Sequence, residues 1–487
     1  MIGHAFVYFN FYPQHDSLNH AFDFAREWEI SLGRFFLIFL EKIKGNVSVP
    51  WIEGIGVMLC ISLMCFVISD ILQIKEKNCI VALSGFLSIN PSIIELNGVF
   101  DFVSAAYMFS STLALLGVYI IVKYQTNIFS VLISILLFTV SVSIYQGGIA
   151  SGMCLFLLYE IKKCVNNDDE IREKFKRWFK YFLVIFVSLC MYFVLWHLFL
   201  KLYNIQPANS YNSSSNLKNL SVTKIPKTII KNYILFFDFF YGKGCFVGQY
   251  VCRTANIIFS LVACIKLVEI VIKKRINKHN LFLMLLLIVL IPLFCCAINV
   301  IIQKETLFFY CNYSICFQYI FLLSIINEGE VVFTPCVKSI KKIYLVLILI
   351  ILFQNIILAN EVYTSQKILY DRTVSIITRV LDTIENCPEY KIGHTKVVLV
   401  GDLYKNPNIP KLDANLDWYH GSKKVSVTYK QTFESMAFIL GSNINRECDE
   451  KVINQISNRE DVKEMEIYPG KGYCKLIDDV IVVKLSN

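Results

Sequence analysis

The segment 15–34, HDSLNHAFDFAREWEISLGR, gathers acids, histidines and arginines in a chain otherwise poor in charge. Wound as one helix at about 100° per residue, it would put Asp16, His20, Asp23, Glu27 and Arg34 on one narrow face. Leu18, Ala21, Phe22, Ala25, Trp28 and Leu32 would lie on the other. Three carboxylates beside a histidine and an arginine suit general-base chemistry, in which a carboxylate takes the proton of an incoming sugar hydroxyl while Arg34 neutralises a phosphate leaving group. The plainer reading is an interfacial amphipathic helix whose polar side is simply solvated. Pattern alone favours the plainer reading.

What must position these residues is a membrane. Of 487 residues 55% are hydrophobic and only 17% charged, outside the range of soluble domains. Apolar runs long enough to cross a hydrocarbon core recur near 51–73, 102–122, 127–145, 180–203, 253–272, 280–301 and 342–360, with shorter candidates at 79–95, 147–161 and 313–328. The sequence therefore predicts an α-helical polytopic protein of about ten spans.

The net charge of +9 does not point to nucleic acid, because the basic residues cluster in short loops between spans. Lys162, Lys163, Arg172, Lys174, Lys176, Arg177 and Lys180 share one loop; Lys273, Lys274, Arg275 and Lys278 share another. Lys338, Lys341 and Lys342 mark a third, and Lys75, Lys77 and Lys123 fall in shorter turns. The positive-inside rule makes these loops cytoplasmic. The connections 15–50, 96–101, 204–252, 302–312 and everything after 361 are then expected outside.

The opening MIGHAFVYFNFYP, at ~13 residues, is too short to span and is expected to be the last turns of a span that begins outside this sequence, an eleventh in the intact protein. Within the loop 204–252, the polar run NSYNSSSNLKNLS is expected to be flexible. The aromatic stretch after it, with Asp238, reads as a membrane-surface belt or a lid. Most of the 17 cysteines lie in apolar runs and act as small hydrophobes. Pairing of Cys245 with Cys252, or among Cys387, Cys448 and Cys474, stays open, and no CxxC or Cys/His spacing supports a metal site.

After residue 360 charges of both signs mix in, and 361–487 reads as a separate extracytoplasmic α/β domain beside a membrane domain 1–360. Its expected elements are a helix over 361–385, a strand at 396–401, helices near 430–440 and 449–459, and strands near 463–467 and 479–485. It carries no GxGxxG, P-loop or nucleophile elbow.

Elimination narrows the chemistry. No Asp-x-Asp occurs, which argues against a nucleotide-sugar donor, and no internal repeat supports a secondary transporter. A sugar carried on a polyprenyl phosphate remains. The HD at His15 and Asp16, GRFF at Gly33–Phe36, SIYQ at Ser143–Gln146 and the tail EIYPGKGYCKLIDDVIVVKLS at 466–486 resemble the bacterial serotype-converting, Gtr-type glucosyltransferases, polytopic enzymes of GT-C-like architecture. The motifs frame nearly the whole chain.

The resemblance implies transfer of a glucosyl, or similar hexosyl, group from undecaprenyl phosphate to a surface glycan such as an O-antigen, in the bacterial inner membrane. A small flippase and a separate carrier-loading glycosyltransferase would be its partners. By the same resemblance Asp16 becomes the candidate base, Arg34 binds the donor phosphate, and His15, Tyr145 and Gln146 line the site. Where the family often has a second acid beside the first, this chain has Ser17, so Asp23 or Glu27 is expected to supply that carboxylate. No cofactor is demanded, although a divalent ion bridging acid and phosphate is compatible with the chemistry. A lipid-linked sugar transporter and a surface-polysaccharide polymerase are the competing readings.

Overall fold

Pro50 and Pro91 each open a helix, and between such punctuation the apolar runs wind up because backbone in hydrocarbon can satisfy its N–H and C=O groups only internally. The computed structural model describes residues 2–20, 25–124, 127–166, 170–208, 221–242, 249–303, 309–328, 336–388, 390–412, 419, 421, 423–428 and 430–487. Four short helices, α1 (Ala5–Tyr8), α2 (Asp16–Asn19), α3 (Arg26–Ser31) and α4 (Leu37–Ile43), lead into the bundle. It is built from α5 (Pro50–Ile71), α6 (Lys77–Ser88), α7 (Pro91–Val99), α8 (Ser104–Lys123), α9 (Ile128–Ile144), α10 (Ile149–Val165) and α11 (Ile171–Tyr203). Then follow α12 (Ile225–Tyr241), α13 (Gln249–Lys273), α14 (Lys278–Cys295), α15 (Ala297–Ile302), α16 (Phe317–Asn327) and α17 (Cys336–Glu385).

Among the described residues seven helical segments are long and apolar enough to cross a membrane, and α9 and the 313–327 segment are shorter apolar helices. The chain is an α-helical multi-pass membrane protein. Its basic segments meet at one end of the bundle. There Glu328 bridges Lys162 (2.9 Å) and Lys274 (2.8 Å), Asp70 pairs with Lys123 (2.7 Å), and Glu160 holds Arg177. Lys174 of α11 donates to Asn280 of α14 at 2.6 Å, tying those helices together at the same end.

The segments between and beside the spans differ from expectation. The segment 15–34 is not one helix: His20 is a turn, Ala25 is non-helical, and α2 and α3 are separate pieces. Asp23 lies outside the described residues, as do most of the polar run 209–220, Cys245 and the side chains of Lys338, Lys341 and Lys342. The stretch 79–95, expected as a shorter or interrupted candidate, lies within the spanning segment Lys77–Val99 and is interrupted at Asn90, whose side chain caps α7 by accepting from Ser92 N and Ile93 N ahead of the Pro91 start. The aromatic stretch near Asp238 forms α12, which packs along the bundle through Asn232 Nδ2 donating to Cys296 O (3.1 Å) and Tyr233 OH to Val289 O (2.7 Å).

Helix α17 runs 50 residues without a break at 360, about 75 Å of rod. Leu358, Val362 and Tyr363 pack into the bundle core, whereas Ile376, Val380 and Ile384 pack into the core of the C-terminal unit. That unit holds β1 (Lys396–Val400), α18 (Lys430–Ile439), β2 (Asn445–Arg446), α19 (Glu450–Ser457), α20 (Glu460–Lys463), β3 (Cys474–Ile477) and β4 (Val480–Lys484). The sheet order is β2-β1-β4-β3, with β1 parallel to both neighbours and β3–β4 an antiparallel hairpin. Strand alternation sends Val397, Leu399, Ile481 and Val483 towards α17 and Val398 and Val482 towards α19 and α20. The strand expected at 463–467 does not form. Met465 instead buries alone beneath the sheet after the α20 turn, so the apparent alternation there marks one anchor.

Candidate active site

Asp16 stands at the first position of α2, and the chain reaches it through a forced turn. His15 has φ +52° and ψ −125°, a conformation costly for a residue with a Cβ, of order 1–3 kcal/mol. Neighbouring contacts hold it there: His15 N donates to Ser426 O (2.9 Å), and His15 Nδ1 lies 3.0 Å from Asp16 Oδ1 and 3.4 Å from Thr428 Oγ1. On one flank Ser17 bonds Gln14, and Gln14 Nε2 donates to Gly98 O (3.0 Å), joining α2 to the bundle. On the other flank Leu18 is buried in the core of the C-terminal unit beside Phe433 and Met436. The carboxylate is thus clamped between two bodies of the fold.

Arg34 follows a tight turn at Gly33 (φ +83°), where an added Cβ would stand 2.1 Å from Tyr192 OH. Only glycine fits both the dihedral and the approach. Arg34 Nη1 donates to Tyr107 OH (2.8 Å) and to Glu29 Oε2 (3.2 Å). The guanidinium lies 5.5 Å from the Tyr107 ring and 5.3 Å from the Tyr145 ring, which stack on each other at 3.8 Å. Gln146 Nε2 donates to Leu32 O (2.9 Å) and Tyr192 OH (3.2 Å), bracing the Gly33 turn from behind.

These groups surround one cavity of about 1070 Å³ with two unlike halves. Its polar half is walled by His15, Asp16, Asn19, His20, Glu29 and Arg34, with Gln431 and Ser435 of α18 across the mouth. Its apolar half is walled by Met153, Ile185, Leu189 and Phe193, together with Ile298 and Ile301 of α15. Ile185, Leu189 and Phe193 recur every fourth residue on α11 and are, like Met153, partly exposed; Ile301 is 37% exposed. Helices α11 and α14 are tied at the basic end, and Phe156 stacks on Tyr181 there at 3.9 Å. The apolar lining side chains are not packed solid but leave surface open to the cavity. Such a pocket accepts a ligand with a polar head and an apolar tail.

The structure brings His15, Asp16, Arg34, Tyr145 and Gln146 to this cavity. Glu27 is exposed and does not line the cavity; it lines an adjoining, more open pocket with Arg26 and Gln206 that shares Ala25 and Trp28 with the cavity. The single-helix projection aligned Glu27 with Asp16; the break between α2 and α3 separates them. Glu29, which that projection omitted, takes the place beside Arg34, five residues back across the Gly33 turn. Tyr107, Tyr192, Gln431 and Ser435 arrive from distant elements and carried no local signal. Among the described residues no group of three or more His, Cys, Asp or Glu side chains could hold a metal ion.

Residues 5–323 match the family described as "Glucosyl transferase GtrII". No curated protein and no solved structure matches the chain.

Proposed function

The chain belongs to the GtrII glucosyl transferase family, and from that premise we propose that it moves a glucosyl group from undecaprenyl phosphate glucose to a cell-surface glycan such as an O-antigen. The coarse activity, a membrane-bound glucosyltransferase acting on a sugar donor and a glycan acceptor, follows from the family. The two-natured cavity supports the finer assignment. An amphiphilic donor would lay its polyprenyl chain along Met153, Ile185, Leu189 and Phe193 and present its phosphate and sugar to Arg34 and Asp16. A water-soluble nucleotide sugar would gain nothing from that greasy wall.

In this reading the acceptor hydroxyl gives its proton to the Asp16 carboxylate as its oxygen attacks the anomeric carbon. The bond from that carbon to the phosphate oxygen breaks, and undecaprenyl phosphate leaves. Arg34 takes up the charge developing on the phosphate, with Glu29 and Tyr107 fixing its plane so that no reorganisation is needed at the moment of transfer. A base of this kind contributes about 10²–10⁴-fold. His15 holds the Asp16 carboxylate in place.

The same reading orients the protein. The end holding Glu328, Lys162 and Lys274 would be cytoplasmic by the positive-inside rule, and the cavity and the C-terminal unit 361–487 would face outwards, in a bacterial inner membrane. A flippase and a carrier-loading glycosyltransferase would supply the donor there. Mass spectrometry of surface glycans from cells with and without the protein tests it. An increment of one hexose per repeat is expected, and unchanged glycan masses in cells that contain the loaded carrier would reject it.

A further inference from the structure

We propose that one face of α18 is the acceptor subsite, reading the surface glycan as it enters the cavity; the inference rests on the transfer reaction above and names who holds the second substrate. Gln431, Ser435 and Phe438 are spaced i, i+4, i+7 and so share one stripe of that helix. Gln431 is exposed and Ser435 partly so, and both line the cavity. Phe438 is 65% exposed and continues the stripe beyond the cavity rim. The opposite face of α18, Thr432, Phe433, Met436 and Ala437, is buried. The helix is therefore anchored by one side and offers the other.

The stripe has the chemistry a glycan needs. An amide and a hydroxyl give donors and acceptors for sugar hydroxyls, and an aromatic ring one turn further gives a flat apolar surface for a sugar face. It is also tied to the candidate base: Ser435 Oγ donates to Asn19 Oδ1 at 2.9 Å, and Asn19 closes the same short helix that Asp16 opens. A sugar bound along α18 would bring its hydroxyl to Asp16 while the lipid donor occupies the other half. Residues 430–438 lie beyond the 5–323 stretch that matches the family.

The experiment uses full-length protein in detergent, synthetic undecaprenyl phosphate glucose, and purified surface polysaccharide or a single-repeat oligosaccharide as acceptor. The variant Gln431→Ala should raise the acceptor KM about tenfold, the scale of one or two lost hydrogen bonds, with kcat within twofold. Phe438→Ala should raise KM for the polysaccharide more than for the single repeat. Lys451→Ala, exposed on α19, is the control. An unchanged acceptor KM, or donor and acceptor KM rising together, would overturn the inference. Acceptor binding measured by calorimetry without donor separates the two readings: if the wild type transfers nothing yet binds glycan and Gln431→Ala does not, the donor assignment fails and the subsite stands.

Discussion

The two ends of the helical bundle both bury charge, and they use it in opposite ways. At the basic end the best-buried acids are consumed by cations: Glu160 takes two bonds from Arg177 (2.5 and 2.9 Å), and Glu328 joins two lysines. At the other end Asp16, Glu29 and Arg34 face a cavity of about 1070 Å³, flanked by stacked tyrosines. Buried charge alone therefore does not mark a site. What marks it is charge aimed into space that a ligand can fill.

Breaking the comparison at its functional side should have the largest effect. Arg34→Ala is expected to lower transfer from undecaprenyl phosphate glucose by roughly 10²–10³-fold in steady-state kinetics, the usual scale for losing one group that meets developing charge. Arg34→Lys should recover only part of that, because an ammonium cannot keep the planar contacts to Glu29 and Tyr107. At the basic end Arg177→Met leaves Glu160 buried without its partner, a penalty of about 3–5 kcal/mol. The expected readout is a lower melting temperature with transfer per folded molecule within twofold. A collapse of transfer at unchanged stability would erase the distinction between the ends.

A third cluster sharpens the contrast, since it sits near the cavity but behind its wall. Lys44 bridges Glu41 (2.8 Å) and Glu53 and donates to Phe102 O (2.7 Å), and the Phe102 ring stacks on His20 at 4.3 Å. Burial, with Glu53 nearby, pushes the Glu41 carboxyl up to about 8 against the pull of Lys44. A folded value above the unfolded 4.5 means the fold binds the extra proton, so this group's contribution is present at low pH and is lost as pH rises towards 8. Glu41→Gln should flatten the fall in melting temperature between pH 5 and pH 8, by on the order of 2–4 °C. The smallest effect is expected from Glu27→Gln, exposed and not lining the cavity, with transfer within twofold of wild type in the same assay.

Composition made the membrane architecture legible, because long apolar runs have few ways to fold in hydrocarbon. The basic loops likewise announced that they gather at one end. The segment 15–34 stood out by its charge, but its geometry was not legible. Its helical projection aligned Asp16 with Glu27, whereas the non-helical His20 and Ala25 part α2 from α3 and the Gly33 turn brings Glu29 to Arg34 instead. Helix α12 was hidden because its apolar stretch is short and follows a polar run. The α18 stripe was hidden for a different reason: Gln431 and Ser435 acquire meaning only when Leu18 plants α2 in the C-terminal core more than four hundred residues downstream.

The central claim is that Asp16 takes the acceptor proton in this cavity. Purified full-length Asp16→Asn, assayed for donor binding and for glucosyl transfer in the same preparation, tests it most directly. The expected result is donor affinity within about threefold of wild type and transfer at one-hundredth of its rate or less. Transfer at the wild-type rate by a well-folded Asp16→Asn protein would contradict the account.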